Sequence, residues 1–490
     1  MSTTRNPRIA TLALDLGTSS LKALVLDREG GTLSLASAAY PIDAPHPDWS
    51  ETDPAAWWAA AVEATAQALH AAGQPAIAGI GLSGQMHGPT LVGPDREPLR
   101  PAILWSDGRA ARFAPRFAAM PDGQRRRLAN PFISGAALPV LAWLADHEPA
   151  VLRRARWQLQ PKDALRTFLV DSDPVTDASD ASATLLWDVP ADGWAVDIAE
   201  AWGVDPRLLP AVRPSGAVAG PLTARAGKAL GVDPGIPVAV GSADAAASAL
   251  GSGFVTPGGV QLSVGTGAQA VAMRATASID PTGRTHLYRA APEGRWYAMA
   301  AVQNAGLALD WARRTLNVEW PAVYAAIPDG PLPADAPLFI PHLTQERPFQ
   351  AHPGPGAGWV GAHLHHTTDD LLAAAVEGVI FGIRLALEAL PGVPGSATLR
   401  LSGGGGLDPR YRQLLADVLG RDLQLVEGRA ASARGAALLG GVAAGWWPSP
   451  EAAAIAVAPA PGPVTHPRTA AHRALEARRA AWLEAIRRNG

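Results

Sequence analysis

At 490 residues the chain is too long for one compact core, and its length predicts two domains. Apolar residues make up 48% and charged residues 17%, which excludes a disordered chain. A net charge of −3 without any Lys/Arg-rich block excludes the electrostatic footprint of a nucleic-acid binder, and zero cysteines exclude disulfides, thiol catalysis and Cys-based metal sites.

Met1 to Ala10 lacks the apolar core of a signal peptide, so a cytoplasmic protein is expected. Arg8 to Ile42 reads as three strands, with turns at Gly17-Thr18 and at Arg28-Glu29-Gly30-Gly31. The first turn closes Leu14-Asp15-Leu16-Gly17-Thr18, and apolar residues alternate out of it through Leu21, Ala23 and Val25. A helix follows from Asp53 to Ala72, with Asp53 as N-cap and Pro54 in its first turn. Ala78 to Leu82 is a buried strand running into Ser83-Gly84-Gln85-Met86-His87-Gly88, and helices are expected to dominate from Ala110 to Ala201. The Pro- and Gly-rich stretch 210–237 is the expected lobe junction, dividing the chain into residues 1–236 and 237–490. Strand Pro237 to Val240 then reaches Gly241-Ser242-Ala243-Asp244.

The second half repeats the first. Leu262-Ser263-Val264-Gly265-Thr266 is the same hairpin, leaving through Ala268, Ala270 and Ala272. A helix from Thr368 to Leu390 follows; Glu377 and Arg384 within it argue for a buried helix rather than a membrane span. Strand Thr398 to Leu401 enters Ser402-Gly403-Gly404-Gly405-Gly406, and a last helix, His472 to Arg488, is expected to fold back on the first lobe. Three strands and then alternating helix and strand, twice, predict a duplicated mixed α/β architecture.

The paired hairpins point to phosphate, because small residues at a tight tip bring backbone N–H groups together. Asp15 in the first copy becomes Ser263 in the second, so only the first offers a carboxylate. Asp15 suits hydrated Mg²⁺, which takes few protein carboxylates plus phosphate oxygens; an Asx-type turn residue is the plain alternative. Lys22 is one of only three lysines and could reach a phosphate from its strand; a solvated surface lysine is the other reading. Asp244, among alanines, suits a desolvated general base or the N-cap of the helix beginning at Ala245. His87 lies in a Gly-flanked loop where its tip can meet a polar ligand. His363-Leu364-His365-His366 reads as a surface turn rather than a metal motif.

These residues also carry a family resemblance over about residues 8 to 480. Asp15-Leu16-Gly17-Thr18-Ser19, Trp49-Ser50-Glu51 through Asp53-Pro54 to Trp57-Trp58, Gly84 to Gly88, Ile103 to Arg109 and Pro161-Lys162-Asp163 resemble the motifs of the FGGY family of carbohydrate kinases. Met86-His87 is similar to the xylulose-contacting pair of its xylulose-phosphorylating members and unlike the Arg-Glu pair of glycerol kinases. The resemblance implies two ribonuclease-H-like lobes of the actin/hexokinase/Hsp70 type, with ATP and sugar in the cleft between them; the paired turns and the Pro/Gly-rich junction lead us to expect that sugar binding closes the cleft. It implies D-xylulose and ATP as substrates, with Asp244 taking the proton of the C5 hydroxyl and Asp15 serving Mg²⁺. Met86, His87, Trp105 and Asp107 would contact the sugar. Thr18, Ser19, Lys22, Gly265 and Thr266 would hold phosphate, and Gly404 and Asp408 would lie beside the adenosine. A homodimer is expected; nucleic acid and membrane are not expected partners. Other readings are a kinase of ribulose, gluconate, fuculose or a similar polyol, or a non-catalytic sensor on the same fold; retention of both Asp15 and Asp244 speaks against the sensor.

Three departures bear on the sugar. Ala245 follows Asp244 where the family usually has Asn or Gln, Val140 follows Pro139 where Lys is frequent, and Gln345-Glu346-Arg347-Pro348 replaces Gly-Glu-Arg-Thr-Pro.

Overall fold

A computed structural model describes residues 8–343, 356–426 and 430–489. Gln345 to Pro348 lie outside the described residues. The chain forms two compact units: 1–255 with 287–296 and 429–458, and 256–286 with 297–428 and 459–490. The division therefore falls after Val255, and the expected junction at 210–237 lies inside the first unit, where it forms strand and helix instead of a linker.

The first unit opens with strands β1 (Ile9–Leu16), β2 (Ser20–Asp27) and β3 (Thr32–Ala39), an antiparallel meander as its period-2 pattern predicts. Helix α1 (Pro54–Ala72) starts where Asp53 accepts the Ala55 N–H at 2.9 Å and stops at left-handed Gly73. It buries Trp57, which is 0% exposed, against this sheet; Trp57→Ala would cost about 3–5 kcal/mol. Strand β4 (Ala76–Gly84) runs parallel to β1. Helices dominate the stretch 110–201 as expected: short helices, among them α2 (Pro161–Arg166), alternate with two- and three-residue strands around a core of Leu138, Leu141, Leu186 and Trp202. Strands β5 (Val218–Pro221), β6 (Pro237–Ala239) and β7 (Ser242–Ala243) complete a seven-stranded sheet, ordered β5-β6-β4-β1-β2-β3 with β7 pairing β4 beyond β6. Helix α3 (Asp244–Gly251) follows at once.

In the second unit β8 (Val260–Val264) and β9 (Ala268–Arg274) form the second hairpin, with β10 (Trp296–Val302) beyond β9. Helices α4 (Gly306–Thr315) and α5 (Thr368–Ala389) follow, α5 opened by a Thr367/Asp370 capping box. Then come β11 (Leu399–Ser402), parallel to β8, helix α6 (Pro409–Leu419), and β12 (Leu423–Val426), parallel to β11. The strand order β10-β9-β8-β11-β12 repeats β3-β2-β1-β4-β6, so the duplication read from the hairpins extends to whole sheets.

The chain then returns to the first unit as α7 (Ala431–Ala443). A Cβ on Gly81 would stand 1.7 Å from the Ala436 carbonyl oxygen, and one on Gly435 would stand 1.9 Å from that of Ala247. Only glycine lets α7 lie this close to β4 and α3. Strand β13 (Pro461–Thr465) and helix α8 (Thr469–Asn489) close the second unit. There Arg478 of α8 grips buried Glu377 of α5 at 2.6 Å. The expectation that the last helix folds back on the first lobe is thus corrected: α7 makes that return, and α8 stays in the second unit.

Candidate active site

A polar row crosses the first sheet at one register level. Lys22 on β2 faces Asp15 on β1, Asp15 faces Ser83 on β4, and Ser83 faces Ser242 on β7. Directly opposed side chains lie about 5 Å apart at Cβ, so the row gathers these groups on one face of the sheet. It falls where β1, β4 and β7 all reach their C-terminal ends, the edge at which open α/β sheets bind ligands. Asp15 is 3% exposed; one carboxylate oxygen accepts the Ser83 hydroxyl at 2.7 Å and the other that of Ser432, on α7, at 2.6 Å.

Asp244 begins α3 two residues beyond Ser242 of the row. The helix N-cap is Ala243, so the capping role considered for Asp244 is not what its carboxylate does; it accepts the N–H of its neighbour Ala245 at 2.6 Å. Half-buried, it is pushed up to about 7, first by desolvation and then by the nearby negative charge of Asp15; the Ala245 N–H and Lys22 oppose the shift. A carboxylate poised near neutrality beside a second carboxylate can accept a proton from a hydroxyl at working pH.

The phosphate-type turn at Gly17 is braced from three sides. Tyr40 donates its hydroxyl to the Gly17 carbonyl, Gln85 donates to the same oxygen at 3.3 Å, and Trp105 donates its indole N–H to the Thr18 hydroxyl at 3.0 Å. Burial, with Asp15 second, raises the Tyr40 hydroxyl pKa above its usual range, so it stays a donor. Ser19 is exposed at the tip.

Met86 and His87 end the loop after β4, both almost fully buried. His87 holds a left-handed φ of 80°, uncommon for a residue with a Cβ. Its Nδ1 donates to the Ala183 carbonyl at 2.8 Å, and Tyr288 lies 6.0 Å away, centroid to centroid. Asp107 behaves differently from the reading of it as a sugar contact. It is 0% exposed and its two oxygens accept from Ser50 N–H and from three Arg109 groups at 2.6–2.9 Å. Arg109 in turn pairs with Glu51 at 2.6 Å and lies over Trp49. With both oxygens doubly occupied, Asp107 orders the loop that carries Trp105.

In the second unit a cavity of about 390 Å³ is lined by Gly265, Thr266, Leu307, Trp320, Tyr324, Gly404 and Tyr411. It joins the second Gly-Thr turn to the glycine run. Gly403 makes this possible, since a Cβ there would stand 2.3 Å from the Val264 carbonyl oxygen. Trp320 and Tyr324 stack 5.9 Å apart on one wall; sequence reasoning missed both, although two aromatics four residues apart on one helix face were a usable signal. Asp408 stands outside this lining: its carboxylate caps α6, accepting from Arg410 and Tyr411 N–H at 2.9 and 3.0 Å. A larger cavity, about 730 Å³ among Leu141, Arg153, Arg156 and Arg207, includes none of the residues singled out from the sequence.

Asp335, His365 and His366 bring ligand-type atoms within 4.8 Å of one another. Yet His366 Nδ1 accepts the His363 N–H at 2.9 Å, which keeps the ring proton on Nε2 and leaves neither nitrogen of that ring ready for a metal. The surface-turn reading stands.

Family profiles match both halves: the N-terminal domain of the FGGY carbohydrate kinases at residues 10–251 and the C-terminal domain at 260–444. The chain belongs to the FGGY family of carbohydrate kinases. It is 32% identical to the xylulose kinase of Escherichia coli (strain K12) over 457 residues, 91% of this chain and 92% of that protein. A xylulose kinase structure from Rhodospirillum rubrum superposes with a TM-score of 0.86 at 26% identity, covering 97% of this chain and 98% of that one. The glycerol kinase of Plasmodium falciparum, at 18% identity and a TM-score of 0.87 over 98% of each chain, shares the fold. Membership makes this chain a two-lobed α/β enzyme of the actin/hexokinase type that uses ATP to phosphorylate a sugar. No described helix is long and apolar enough to cross a membrane.

Proposed function

We propose that this FGGY kinase transfers the γ-phosphate of ATP to D-xylulose, giving D-xylulose 5-phosphate and ADP. The observation that carries the reading is the Asp244 carboxylate, held near neutrality beside Asp15 and Lys22 at the C-terminal edge of the first sheet. Phosphoryl transfer asks little covalent chemistry of a protein: an oriented hydroxyl, a base for its proton, and charges to match the phosphate. Asp244 is the base for the C5 hydroxyl as it attacks in line. Lys22, Thr18 and Ser19 offer a cation and donors to phosphate. Gly265, Thr266 and Gly404 line the cavity whose aromatic wall suits a nucleobase. Met86 and His87 favour xylulose over glycerol, and the xylulose kinase relatives support the same sugar.

Asp15 fits Mg²⁺. Its two serine partners use two of roughly four lone-pair sites on the carboxylate, leaving acceptor capacity for a hydrated ion. When bound, the ion would neutralise charge on the phosphate oxygens. The reading extends to a homodimer in the cytoplasm, which light scattering and fractionation respectively test.

A coupled ADP-release assay over ketopentoses, polyols and aldonates decides the substrate. D-xylulose should give the highest kcat/KM. A polyol or aldonate that exceeds it would move the enzyme to another branch of the family, the direction in which Ala245 points.

A further inference from the structure

Beneath the Asp244 turn lies a cluster of buried charges that the reaction itself does not use. Lys162 Nζ stands 2.6 Å from Asp163, 2.9 Å from Asp180 and 3.1 Å from Asp177, and all four side chains are 0% exposed. Arg166 adds a second cation, 2.8 Å from Asp163. Three carboxylates against two cations leave one negative charge in excess. Burial raises the Asp180 carboxyl well above its usual range, while the Lys162 ammonium beside it opposes the shift. Such clusters are poor stabilisers: desolvation costs several kcal/mol per ion, and apolar replacements of equal volume are often neutral or better. Fold stability alone therefore does not account for it.

The cluster's reach does account for it. Arg166 donates to the Val240 carbonyl at 2.5 Å. Ser179 accepts the Ala243 N–H at 2.9 Å and passes its own proton to Asp177 at 2.5 Å. Ser215 donates its hydroxyl to that same Asp177 oxygen at 2.8 Å, while its carbonyl accepts the Gly241 N–H at 2.9 Å. Val240, Gly241 and Ala243 are thus each tied to the cluster through a main-chain group. Ser242 between them is paired in register with Ser83, whose hydroxyl holds Asp15. At Gly241, with φ 88° and an added Cβ 2.6 Å from the Leu82 carbonyl oxygen, only glycine fits.

We propose that Lys162, Asp163, Arg166, Asp177, Ser179 and Ser215 form a positioning network that fixes the Asp244 carboxylate relative to Asp15 and Lys22. The proposal rests on the reading of Asp244 as the base. All six are buried, and they act through the turn.

Ser179→Ala in the full-length enzyme is the direct test, since it removes one oxygen and leaves every charge in place. A displacement of the order of 1 Å can cost about a hundredfold, so kcat should fall roughly 10- to 100-fold while the ATP KM stays within about twofold. The charged groups facing Asp244 are Asp15 from β1 and Lys22 from β2. A displaced Asp244 meets them at changed distances, so the acid limb of kcat/KM should move by at least about half a pH unit. A merely structural role would lower the active fraction and leave that limb in place. A folded Ser179→Ala enzyme with unchanged kcat and limb overturns the proposal. Should that variant prove insoluble, Ser215→Ala takes its place with a smaller effect of the same kind, and an unchanged kcat and limb there overturns it equally. Asp244→Asn measured alongside separates the two ideas. If it keeps its turnover, the base assignment fails; if it is inactive while Ser179→Ala is normal, only the network fails.

Discussion

The two Gly-Thr hairpins share strand order, pairing and turn, and they differ in one row of side chains. In the first, Lys22, Asp15 and Ser83 stand side by side across three strands. In the second the matching row is Gln269, Ser263 and Ser402. One row carries acidic and basic side chains, the other only uncharged polar ones. The first turn is braced by Tyr40, Gln85 and Trp105, whereas the second opens on an aromatic-walled cavity. Duplication supplied the frame twice, and substitutions along a single register row gave one copy charge to place and the other a pocket to fill.

The sharpest way to break the comparison is to remove the charge it turns on. Asp244→Ala or Asp244→Asn should cut turnover by about 10²–10⁴-fold with nucleotide binding largely intact, read by steady-state kinetics and nucleotide titration. The Asn variant should also melt higher than the wild type at neutral pH. Because the folded enzyme keeps a proton on Asp244 up to about pH 7 that the unfolded chain releases near pH 4, wild-type stability falls as pH rises through that window. The difference should close below about pH 4.

Second in size, His87→Ala should raise the sugar KM about tenfold or more and leave the ATP KM nearly unchanged, the loss expected when a buried polar contact goes unmade. An unchanged sugar KM and turnover would return His87 to a loop-ordering residue. Ser263→Asp gives the second hairpin the first one's carboxylate; repulsion of phosphate should raise the ATP KM several-fold, and an unaffected ATP KM would show that the rows are not what distinguishes the copies.

A pH profile sharpens the comparison further. Asp244 must be ionised to accept a proton, so kcat/KM should fall about tenfold per unit below about pH 7. Asp15→Asn removes the second-largest cause of the upward shift, and whatever activity remains should show its acid limb at lower pH. The smallest effect is expected at Asp180→Asn. Burial raises that carboxyl well above its usual range, so the neutral amide should change Tm by no more than a few degrees.

Local periodicity made the meander, α1 with its Asp53 cap, α5 and both hairpins legible, because each is decided by neighbours in sequence. The duplicated turn gave Asp15, and a strand ending among alanines gave Asp244. The local partners of Asp107 and Asp408 were not legible: a carboxylate in a loop reads the same whether it faces ligand or its own backbone, and only the structure shows that Asp107 accepts the Arg109 N–H and Asp408 the Tyr411 N–H. Ser432 was invisible because its partnership with Asp15 spans 417 residues. The positioning network likewise draws on three separate segments. The lobe boundary was misplaced because Pro and Gly in 210–237 shape a strand edge and a helix cap as readily as a linker.

Helix α7 carries a consequence for how the protein is made. It packs into the first unit, yet it leaves the ribosome after nearly all of the second. At roughly 5–20 residues per second, Asp15 waits on the order of 20–80 seconds for Ser432 to be synthesised. During that interval Gly81 and the face of β4 around it lack their cover, and the nascent first unit presents an unfinished surface to chaperones and to other nascent chains. Vectorial synthesis therefore cannot complete the domains one at a time: a chain released at residue 255 should be captured as a non-native species, and Asp15 gains its full set of partners only once Ser432 has been made.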